Sequence, residues 1–496
     1  MSDRRPAPAR ILFRADGDAA TGSGHLRRCL ALAEQLRLWG RECLFICRAS
    51  DRSFNHLVRE AGFGLVELPG GDDLDAKRDA AAALAAVGEG ASFDTVVVDH
   101  YRLGASWQQR MRSLAPRIAV IDDLADRPHD CDLLVDVAPG DPDRYDALVP
   151  SACHKLLGPH YAMLRPEFAR ARQEMRTRSG TVARILISFG GTDEADLTGS
   201  AITAVRAARP DAAIDAVLTS LSPHRAALEE RARADGRLSL HVNADNMAEL
   251  MASADLAIGA GGSTSWERAC LGLPSIVSVI AENQRTTATA LENHGCAVTL
   301  AAGPAFEKEL RQLIEWLSAR PALLRLMSVA GAAVVDGRGV ARAAAAVAPP
   351  AVTVRPAEAG EARKIWEWRN APEIRATAID PAEIPWDDHR AWFARRIADP
   401  DTMMLVGEDG GAEVGVVRFD LDGDAATVSI FLAPGQAGRG TGRALLRAGE
   451  AWVGHHHPAV RRFVADVRPE NSASIALFRG ANYRPRLFGF ERTAND

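Results

Sequence analysis

The 496-residue chain lacks any long uninterrupted apolar segment, and it has no strong excess of charge of one sign. No run approaches the ~18 apolar residues of a membrane-spanning helix, which argues against insertion in a bilayer. Basic side chains number 59 and acidic ones 65, for a formal net charge of −6, so no global field favours nucleic acid or an anionic membrane. We therefore expect a small-molecule ligand, with neither nucleic acid nor a membrane as partner.

The spacing typical of disulfide or metal-binding cysteines is also missing from the sequence. The seven cysteines include no CxxC pair and lack the dense spacing of a secreted disulfide scaffold. The basic opening residues are not followed by an apolar signal segment, because Arg14 and Asp16 interrupt the short run at 11–13. These features predict a cytoplasmic protein with reduced thiols, and the sequence shows no cluster of metal-ligating residues.

Hydrophobic patterning predicts two Rossmann-like α/β domains, at 1–165 and 178–340. Up to about residue 160, short apolar runs alternate with helical patterns, which is typical of a parallel sheet covered on both faces. The alternation restarts after the basic stretch 169–180. Strands are then expected at 183–188, 213–218, 238–241, 255–258, 274–279 and 296–300. Two such domains in tandem predict a ligand in the cleft between them, beyond the carboxyl ends of the strands.

A third domain of different pattern is predicted at 352–496. The Ala-rich and Pro-Pro stretch 341–351 predicts a semi-stiff linker in front of it. The segments expected after this linker are helices at 358–369 and 387–398, followed by strands near 402–407, 412–419 and 424–432. Three successive strands before a glycine-rich turn indicate an antiparallel meander, and therefore an α+β domain.

The first candidate site is the glycine-rich turn that joins the first strand to the helix starting near His25. A helix that begins there directs free amide groups and the positive end of its dipole into the cleft, which suits an anion. Asp16, Asp99, Asp122 and Asp123 all follow expected strands, so they should face the same cleft. Local structural roles are open alternatives, because His25 can cap or pack its helix and each aspartate can cap the helix that follows.

A series of short sequence motifs occurs in order between residue 10 and about residue 300. They are Arg14-Ala15-Asp16-Gly17, Gly24-His25-x-x-Arg28, Val98-Asp99-His100-Tyr101, Ile121-Asp122-Asp123-Leu124, Leu157-Gly158-Pro159-x-Tyr161, Ser188-Phe189-Gly190-Gly191-Thr192-Asp193, Gly261-Gly262-Ser263-Thr264-Ser265-Trp266-Glu267 and Glu282-Asn283-Gln284. This collinear set resembles the UDP-2,4-diacetamido-2,4,6-trideoxy-β-L-altropyranose hydrolases of the pseudaminic acid pathway. The resemblance implies a two-Rossmann fold of glycosyltransferase B type, with His25 as the catalytic base.

The same resemblance implies a set of substrate-binding residues. Glu267 would accept hydrogen bonds from the ribose of UDP, although a carboxylate in the first turn of a helix is also common for local reasons. The full set is Arg14, Asp16, Gly17, Arg28, Asp99, His100, Gly190, Gly191, Gly262, Ser263, Thr264, Glu267, Asn283 and Gln284.

The second candidate site is the turn 434–446, which has glycine at every second position and then opens a helix. Such alternation lets consecutive amides point at one pyrophosphate. The turn and the downstream segment from Arg468 to Tyr483 resemble the GCN5-related N-acetyltransferases, whose co-substrate is acetyl-CoA. The residues implied in acetyl-CoA binding are Gly438, Arg439, Gly440, Thr441, Gly442 and Asn471.

This second resemblance has two departures from the family pattern. Ala437 occupies the position where Gln or Arg is usual, with Gln436 one residue earlier. Phe478 stands where a tyrosine usually protonates the departing thiolate. Backbone amides provide most of the cofactor contacts, so binding of acetyl-CoA is expected to persist, while the acid and base of this domain stay unassigned.

The two resemblances together predict a bifunctional enzyme of pseudaminic acid synthesis. The third domain would acetylate the 4-amino group of a UDP-amino-sugar, and the first two would hydrolyse the diacetamido product to free sugar and UDP. One alternative is a glycosyltransferase carrying a non-catalytic acetyl-CoA-binding module, because the same architecture serves sugar transfer. Another is the equivalent enzyme of the legionaminic acid pathway, which would differ in sugar stereochemistry.

Overall fold

The computed structural model describes residues 9–18, 22–50, 53–70, 75–138, 140–190, 192–378 and 380–485. The chain divides into two compact units, one formed by Ala9–Val347 and one that begins at Ala348. Each unit has its own sheets and its own buried apolar clusters.

The first half of the larger unit is a seven-stranded sheet. Its strands are β1 (Arg10–Ala15), β2 (Glu42–Arg48), β3 (Gly64–Leu68), β4 (Thr95–Asp99), β5 (Arg117–Ile121), β6 (Leu133–Asp136) and β7 (His154–Leu157). All neighbouring strands are parallel, in the order β3-β2-β1-β4-β5-β6-β7. Its helices are α1 (Gly24–Leu38), α2 (His56–Glu60), α3 (Ala76–Val87) and α4 (Ala105–Met111), and the helix that follows β7, α5 (Pro166–Gln173), packs against the second half of the unit. The central strand β4 is buried along its whole length, as expected for a sheet covered on both faces.

The second half repeats this arrangement with six strands. They are β8 (Arg184–Ser188), β9 (Ala213–Leu218), β10 (Leu238–Val242), β11 (Leu256–Ala260), β12 (Ser275–Ser278) and β13 (Ala297–Thr299), all parallel in the order β10-β9-β8-β11-β12-β13. The helices are α6 (Leu197–Ala208), α7 (Arg225–Ala234), α8 (Met247–Ser253), α9 (Thr264–Cys270), α10 (Arg285–Asn293), α11 (Phe306–Ser318), α12 (Pro321–Val334) and α13 (Gly339–Val347). In both sheets the strand order reverses beside the first strand, between β1 and β4 and between β8 and β11. Doubly wound sheets bind ligands at this point.

Helix α13 corrects the linker predicted at 341–351. Its side chains from Val340 to Val347 pack against the first half, with Val347 only 1% exposed. The Thr95 hydroxyl donates to the Val347 carbonyl at 3.0 Å, and Arg117 donates to the Ala346 carbonyl at 2.9 Å. Alanine favours helix and has a small side chain, so the Ala-rich run forms a closely packed helix rather than a spacer.

The smaller unit contains a five-stranded sheet. Its strands are β14 (Thr353–Pro356), β15 (Thr402–Asp409), β16 (Ala412–Asp422), β17 (Ala425–Leu432) and β18 (Arg462–Ala465). The first four are antiparallel neighbours and β18 pairs in parallel with β17. The helices are α14 (Ala362–Asn370), α15 (Pro372–Arg375), α16 (Trp386–Ala398), α17 (Thr441–His456) and α18 (Ser472–Gly480). The predicted meander and the α+β class are confirmed.

No single helix of the described ranges is long and apolar enough to cross a membrane. The bent pair formed by Phe306–Ser318 and Pro321–Val347 passes that test jointly, on length and composition alone, with an angle of 97° between its helices.

Candidate active sites

His25 lies at the start of α1, beside the carboxyl end of β4 at the switch point of the first sheet. Its Nδ1 is 2.5 Å from Oδ1 of Asp99, which is completely buried at the end of that strand. Burial opposes ionisation of Asp99, but the charges of Arg28 and His25 outweigh it and lower the pKa of the carboxyl. The Asp99 carboxylate is positioned to accept a hydrogen bond from Nδ1–H of the imidazole, and Nη2 of Arg28 lies 3.2 Å from the same nitrogen. The nitrogen left to accept a proton is Nε2.

Arg28 connects this pair to a second carboxylate. Its Nε and Nη2 donate to the two oxygens of Asp99 at 2.5 and 2.6 Å, and its Nη1 donates to Asp123 at 3.1 Å. Tyr101 places its ring edge-on to His25, with 4.5 Å between the ring centroids. Tyr101 was not among the predicted site residues, although it stands two positions after Asp99 in the same motif. The structure thus brings His25, Arg28 and Asp99 together as predicted and adds Tyr101.

Arg14 lies behind this site and not on its surface. It is 0% exposed and forms a paired set of hydrogen bonds with Asp16 at 2.6 and 2.9 Å, and with Asp79 at 3.1 and 2.8 Å. This placement contradicts the expectation that Arg14 contacts a substrate directly, because its donors are taken up by two carboxylates. Its position instead fixes Asp16, whose Oδ2 is 3.3 Å from Nε2 of His100.

His100 and Gly17 complete the description of the first half of the site. The Nδ1 atom of His100 accepts from the Arg102 amide at 3.0 Å, which leaves Nε2 to donate to Asp16. Burial lowers the pKa of His100, although its hydrogen bond with Asp16 opposes that shift. A Cβ at Gly17 would lie 2.9 Å from a methyl of Leu26 and 3.2 Å from the Gly22 carbonyl oxygen, so a side chain there would require Leu26 to shift. The substrate contacts of both residues stay predictions.

The loop between β11 and α9 faces the start of α1 within the same unit. A Cβ at Gly24 would lie 4.0 Å from the Ser263 hydroxyl, so the two halves approach each other at these loops. The loop residues Gly261, Gly262 and Ser263 precede α9, whose first residue is Thr264, one position before the predicted start. The backbone amides and hydroxyls of this loop therefore border the cleft that contains His25.

Gln284 supports this loop from behind. Its Oε1 accepts hydrogen bonds from the amides of Gly261 and Ile280, both at 3.2 Å. Gln284 therefore holds the loop in place, and its predicted contact with substrate stays a prediction. The side chain of its predicted partner Asn283 and the whole of Gly191 lie outside the described residues, while Gly190 follows β8 with a positive φ of 67°.

Glu267 is placed in the first turn of α9, with 17% of its side chain exposed. Its Oε1 is 3.6 Å from Nη2 of Arg165, a residue that reaches it from just before α5. Burial raises the pKa of Glu267, and the charges of Arg165 and Arg27 oppose that shift. The carboxylate is thus accessible at the cleft and partly balanced by two arginines. Its contact with ribose stays a prediction.

In the smaller unit, the glycine-rich turn between β17 and α17 has the backbone that the sequence predicts. Gly438 and Gly440 have φ values of 79° and 78°, which side-chain-bearing residues rarely adopt. A Cβ at Gly438 would meet no atom within 4 Å, and one at Gly440 would meet only Pro350 at 3.9 Å. Gly440 is the N-cap residue of α17, a helix of 16 residues that continues through Thr441 and Gly442. The turn is therefore an open cradle of amides at a helix N-terminus.

Two neighbours of this turn have local partners. Arg439 donates to the side chain of Gln436 at 2.9 Å, so Gln436 shapes the turn from its shifted position. Asn471 caps α18 by accepting from the Ser474 amide at 2.9 Å, and its Nδ2 donates to the Thr377 carbonyl at 2.8 Å. Both ends of the Asn471 side chain are occupied, which indicates a structural role, while its predicted contact with acetyl-CoA stays untested.

A cavity of about 640 Å³ lies between α14, α16 and the strands β15 to β17. Charged and polar side chains lining it include Arg369, Asp388, His389, Arg395, Arg418 and Ser429. The Arg418 guanidinium lies 5.4 Å from the ring centroid of Trp392, another lining residue. None of these residues is in the predicted set of site residues, and the folded domain brings them together from separate helices and strands.

His389 is distinctive in this cavity because it is 3% exposed and its Nε2 has no hydrogen-bond partner among the residues that the structure describes. Burial lowers its pKa, opposed by a hydrogen bond with the Ala362 backbone, while the charge of Arg369 adds to the lowering. The imidazole is therefore neutral near pH 7, with one nitrogen able to accept a proton. Within the described ranges no group of three or more His, Cys, Asp or Glu could hold a metal ion.

Two family models match the chain. Residues 186–331 match the glycosyltransferase family 28 C-terminal domain, which covers most of the second parallel sheet, and residues 351–484 match the acetyltransferase (GNAT) domain. The class of protein is thus two Rossmann-like domains of glycosyltransferase B type followed by a GNAT domain, as predicted. Both models describe enzymes, so the expectation of an enzyme is confirmed.

Curated relatives match the larger unit. A UDP-2,4-diacetamido-2,4,6-trideoxy-beta-L-altropyranose hydrolase of Campylobacter jejuni is 27% identical over 292 residues, which are 58% of this chain and 98% of the relative. The spore coat polysaccharide biosynthesis protein SpsG of Bacillus subtilis is 32% identical over 192 residues, or 38% of this chain. An uncharacterized protein of Methanocaldococcus jannaschii is 27% identical over 284 residues, or 56% of this chain. The chain spans only 57% and 56% of the length of the archaeal and Bacillus relatives.

These matches confirm the predicted resemblance in both parts of the chain. The protein joins a region similar to the Campylobacter UDP-sugar hydrolase to a GNAT acetyltransferase domain.

Proposed function

We propose that this protein is a bifunctional enzyme that acetylates a UDP-4-amino-sugar and then hydrolyses the diacetamido product to free sugar and UDP. The observation that carries the hydrolase assignment is the buried His25–Asp99–Arg28 cluster beside a glycine loop of the second half. The likeness to the Campylobacter hydrolase supports the substrate class, UDP-2,4-diacetamido-2,4,6-trideoxy-β-L-altropyranose. The proposed location is the cytoplasm, in keeping with seven free cysteines.

In the hydrolytic step, Nε2 of His25 takes a proton from water while the water oxygen attacks the anomeric carbon. The bond from that carbon to the β-phosphate oxygen breaks, and its electron pair leaves with UDP. UDP is a stable anion, so no strong acid is needed on the leaving side. Asp99 stabilises the imidazolium that forms, because it is already ionised and bonded to Nδ1.

The second half would bind the nucleotide. The amides and hydroxyls of Gly262, Ser263 and Thr264 suit the diphosphate, since donors in place before the reaction stabilise the charge that develops there. Glu267 would accept hydrogen bonds from ribose hydroxyls, with Arg165 holding the carboxylate in position. Gln284 would support nucleotide binding indirectly, because it accepts a hydrogen bond from the Gly261 amide and so holds the loop in place.

For acetyl transfer, the turn from Gly438 to Gly442 would hold the pyrophosphate of acetyl-CoA, and the cavity of the smaller unit would hold the sugar nucleotide. The arginines Arg369, Arg395 and Arg418 suit a diphosphate, and Trp392 offers an aromatic face. The 4-amino nitrogen attacks the thioester carbon, the carbon–sulfur bond breaks, and the electron pair leaves on the CoA thiolate. His389 would take a proton from the 4-ammonium group, because only the neutral amine has the lone pair needed for this attack.

Phe478 cannot protonate the departing thiolate. It is 8% exposed and packs against Tyr483, with 4.9 Å between ring centroids, so its position is part of the core. The thiolate proton must come from another group or from water. A domain that binds acetyl-CoA without transferring the acetyl group is the alternative that this substitution favours.

The two activities are consecutive, which gives the fusion a kinetic advantage because the first product is released near the second site. Mass spectrometry of the full chain with the UDP-4-amino-sugar, with and without acetyl-CoA, tests the whole proposal. We expect free diacetamido sugar and UDP only when acetyl-CoA is present. Release of UDP that requires an added sugar acceptor would instead identify a glycosyltransferase, and a substrate of legionaminic configuration would identify the related pathway.

A further inference from the structure

Two cysteines of the larger unit lie side by side without being bonded. Cys131 precedes β6 and Cys153 precedes β7, and their Sγ atoms are 3.5 Å apart. These strands are parallel neighbours whose pairing begins at Leu133 and His154, and the His154 amide donates to the Asp132 carbonyl at 3.0 Å. The backbone therefore holds both sulfurs at the same end of adjacent strands.

The two thiols have different surroundings. Cys131 is 1% exposed, whereas Cys153 is only half-buried. The hydrogen bond between them lowers the pKa of Cys153 and raises that of Cys131, and Lys155 further favours the thiolate of Cys153. Cys153 is thus the accessible and more acidic thiol, and Cys131 is the protected partner.

We propose that Cys131 and Cys153 form a peroxide-oxidised dithiol that closes to a disulfide within the hydrolase unit. The Cys153 thiolate attacks one oxygen of a hydroperoxide and becomes a sulfenic acid, while the other oxygen leaves as hydroxide, or as alkoxide from an organic peroxide, and is protonated. The Cys131 sulfur then attacks the Cys153 sulfur and releases water. Overall, two thiols and hydrogen peroxide give one disulfide and two waters, so the two electrons pass to the peroxide.

The change in geometry that this step needs is small. A disulfide has a sulfur–sulfur distance of about 2.05 Å, so the sulfurs must approach by roughly 1.5 Å, which side-chain rotation can supply. The strands would keep their pairing because the backbone hydrogen bonds are already formed.

The bond would tie down a segment that supports the hydrolytic site. Between the two cysteines lie Arg144 and Tyr145, and the Tyr145 hydroxyl donates to Asp122 at 3.0 Å. Arg144 bonds Asp136 and the Asp123 carbonyl. The cysteines themselves lie at the amino ends of β6 and β7, the edge of the sheet opposite to His25. We therefore expect oxidation to stabilise the unit without blocking the cleft.

The experiment treats the reduced full chain with increasing hydrogen peroxide and then counts free thiols, with peptide mapping under non-reducing conditions. We expect the count to fall from seven to five, a Cys131–Cys153 cross-linked peptide, a loss of two hydrogens in the intact mass, and full reversal by dithiothreitol. The melting temperature should rise by about 5 °C in the oxidised form.

Three variants make the test specific. Cys131→Ser should stop at a sulfenic acid on Cys153 that a dimedone probe captures, and Cys153→Ser should give no cross-link. Cys43→Ser removes another partly exposed cysteine and should behave as the parent. The proposal is overturned if the parent forms a different pair, if Cys153 proceeds to sulfinic acid without a cross-link, or if Cys131→Ser leaves Cys153 as unreactive as Cys43.

Discussion

The two candidate active sites differ in how their chemistry is prepared. In the larger unit, His25 is held by a buried carboxylate that two further arginine bonds keep ionised. In the smaller unit, Nε2 of His389 has no hydrogen-bond partner among the described residues, and His389 lines a cavity of about 640 Å³. A site built from ion pairs is in place before substrate arrives, whereas the other depends on its ligands to satisfy its polar groups. The expected effects of mutation follow from this difference.

The largest effect is expected for His25→Ala, in the candidate active site of the larger unit. Hydrolysis of the diacetamido UDP-sugar should fall by about 10²–10⁴, the usual contribution of a general base. UDP affinity, measured by titration calorimetry, should be unchanged because the nucleotide loop belongs to the second half. His294→Ala is the matched control, since that histidine is exposed in the same unit. Turnover within a few-fold of the parent would remove His25 from the mechanism.

His389→Asn should slow acetyl transfer by about 10² near pH 7, because the free Nε2 is lost as proton acceptor. Burial lowers the pKa of His389, so the parent has a neutral imidazole at pH 7 and loses activity only as acid protonates it. The ratio of parent to variant rates should shrink as pH rises past the pKa of the substrate amine, which then needs no base.

The control for this pH series is His456→Asn, an exposed histidine on α17. A ratio for His389→Asn that stays constant across pH, with acetyl-CoA affinity reduced, would instead assign His389 a structural role.

A smaller effect is expected for Glu267→Ala. A ribose contact acts equally on the ground state and transition state, so its loss should raise KM for the UDP-sugar while kcat stays nearly constant. The shift should be about 1.5–3 kcal/mol if a charged hydrogen bond is lost. Glu282→Ala removes an exposed carboxylate of the same half and serves as control. An unchanged KM would leave Glu267 with only its role in the first turn of α9.

The smallest effect on hydrolysis is expected from changes that remove or disable the acetyltransferase domain. A chain ending at Val347 should hydrolyse the diacetamido substrate within about twofold of the parent, because the larger unit has its own sheets and its own buried cores. Likewise, Gly440→Val should abolish acetyl-CoA binding, since the residue has a positive φ and its side chain would enter the cradle, yet it should leave hydrolysis intact. A parallel fall of both activities would show that the sites are coupled. The truncation also tests the proposed start of the third domain, 352–496, while the bounds 1–165 and 178–340 of the first two domains stay predictions.

The sequence predicted the fold class because that class depends on local and periodic signals. The runs that became β8, β9 and β11 are short, apolar and flanked by helical patterns, and the predicted ranges lie within about two residues of the observed ones. The glycine-rich turn was predicted from a local signal too, since alternating glycines indicate a backbone that other residues avoid. Gly438 and Gly440 both have positive φ. The linker prediction failed because an Ala-rich run followed by prolines has the same composition in a spacer and in a packed terminal helix.

What the sequence by itself determined was the order of the elements, the glycine turns, and the position of His25 at the start of a helix, since each depends on neighbours in the chain. Only the tertiary structure decided which side chains contact one another and which border a cavity. Arg14 and Gln284 support other groups, Tyr101 contacts His25, and His389 borders a cavity. The pairing of Cys131 with Cys153 likewise arises because β6 and β7 are adjacent. Burial and contact between residues distant in sequence are set by packing of the whole sheet, and no local pattern encodes them.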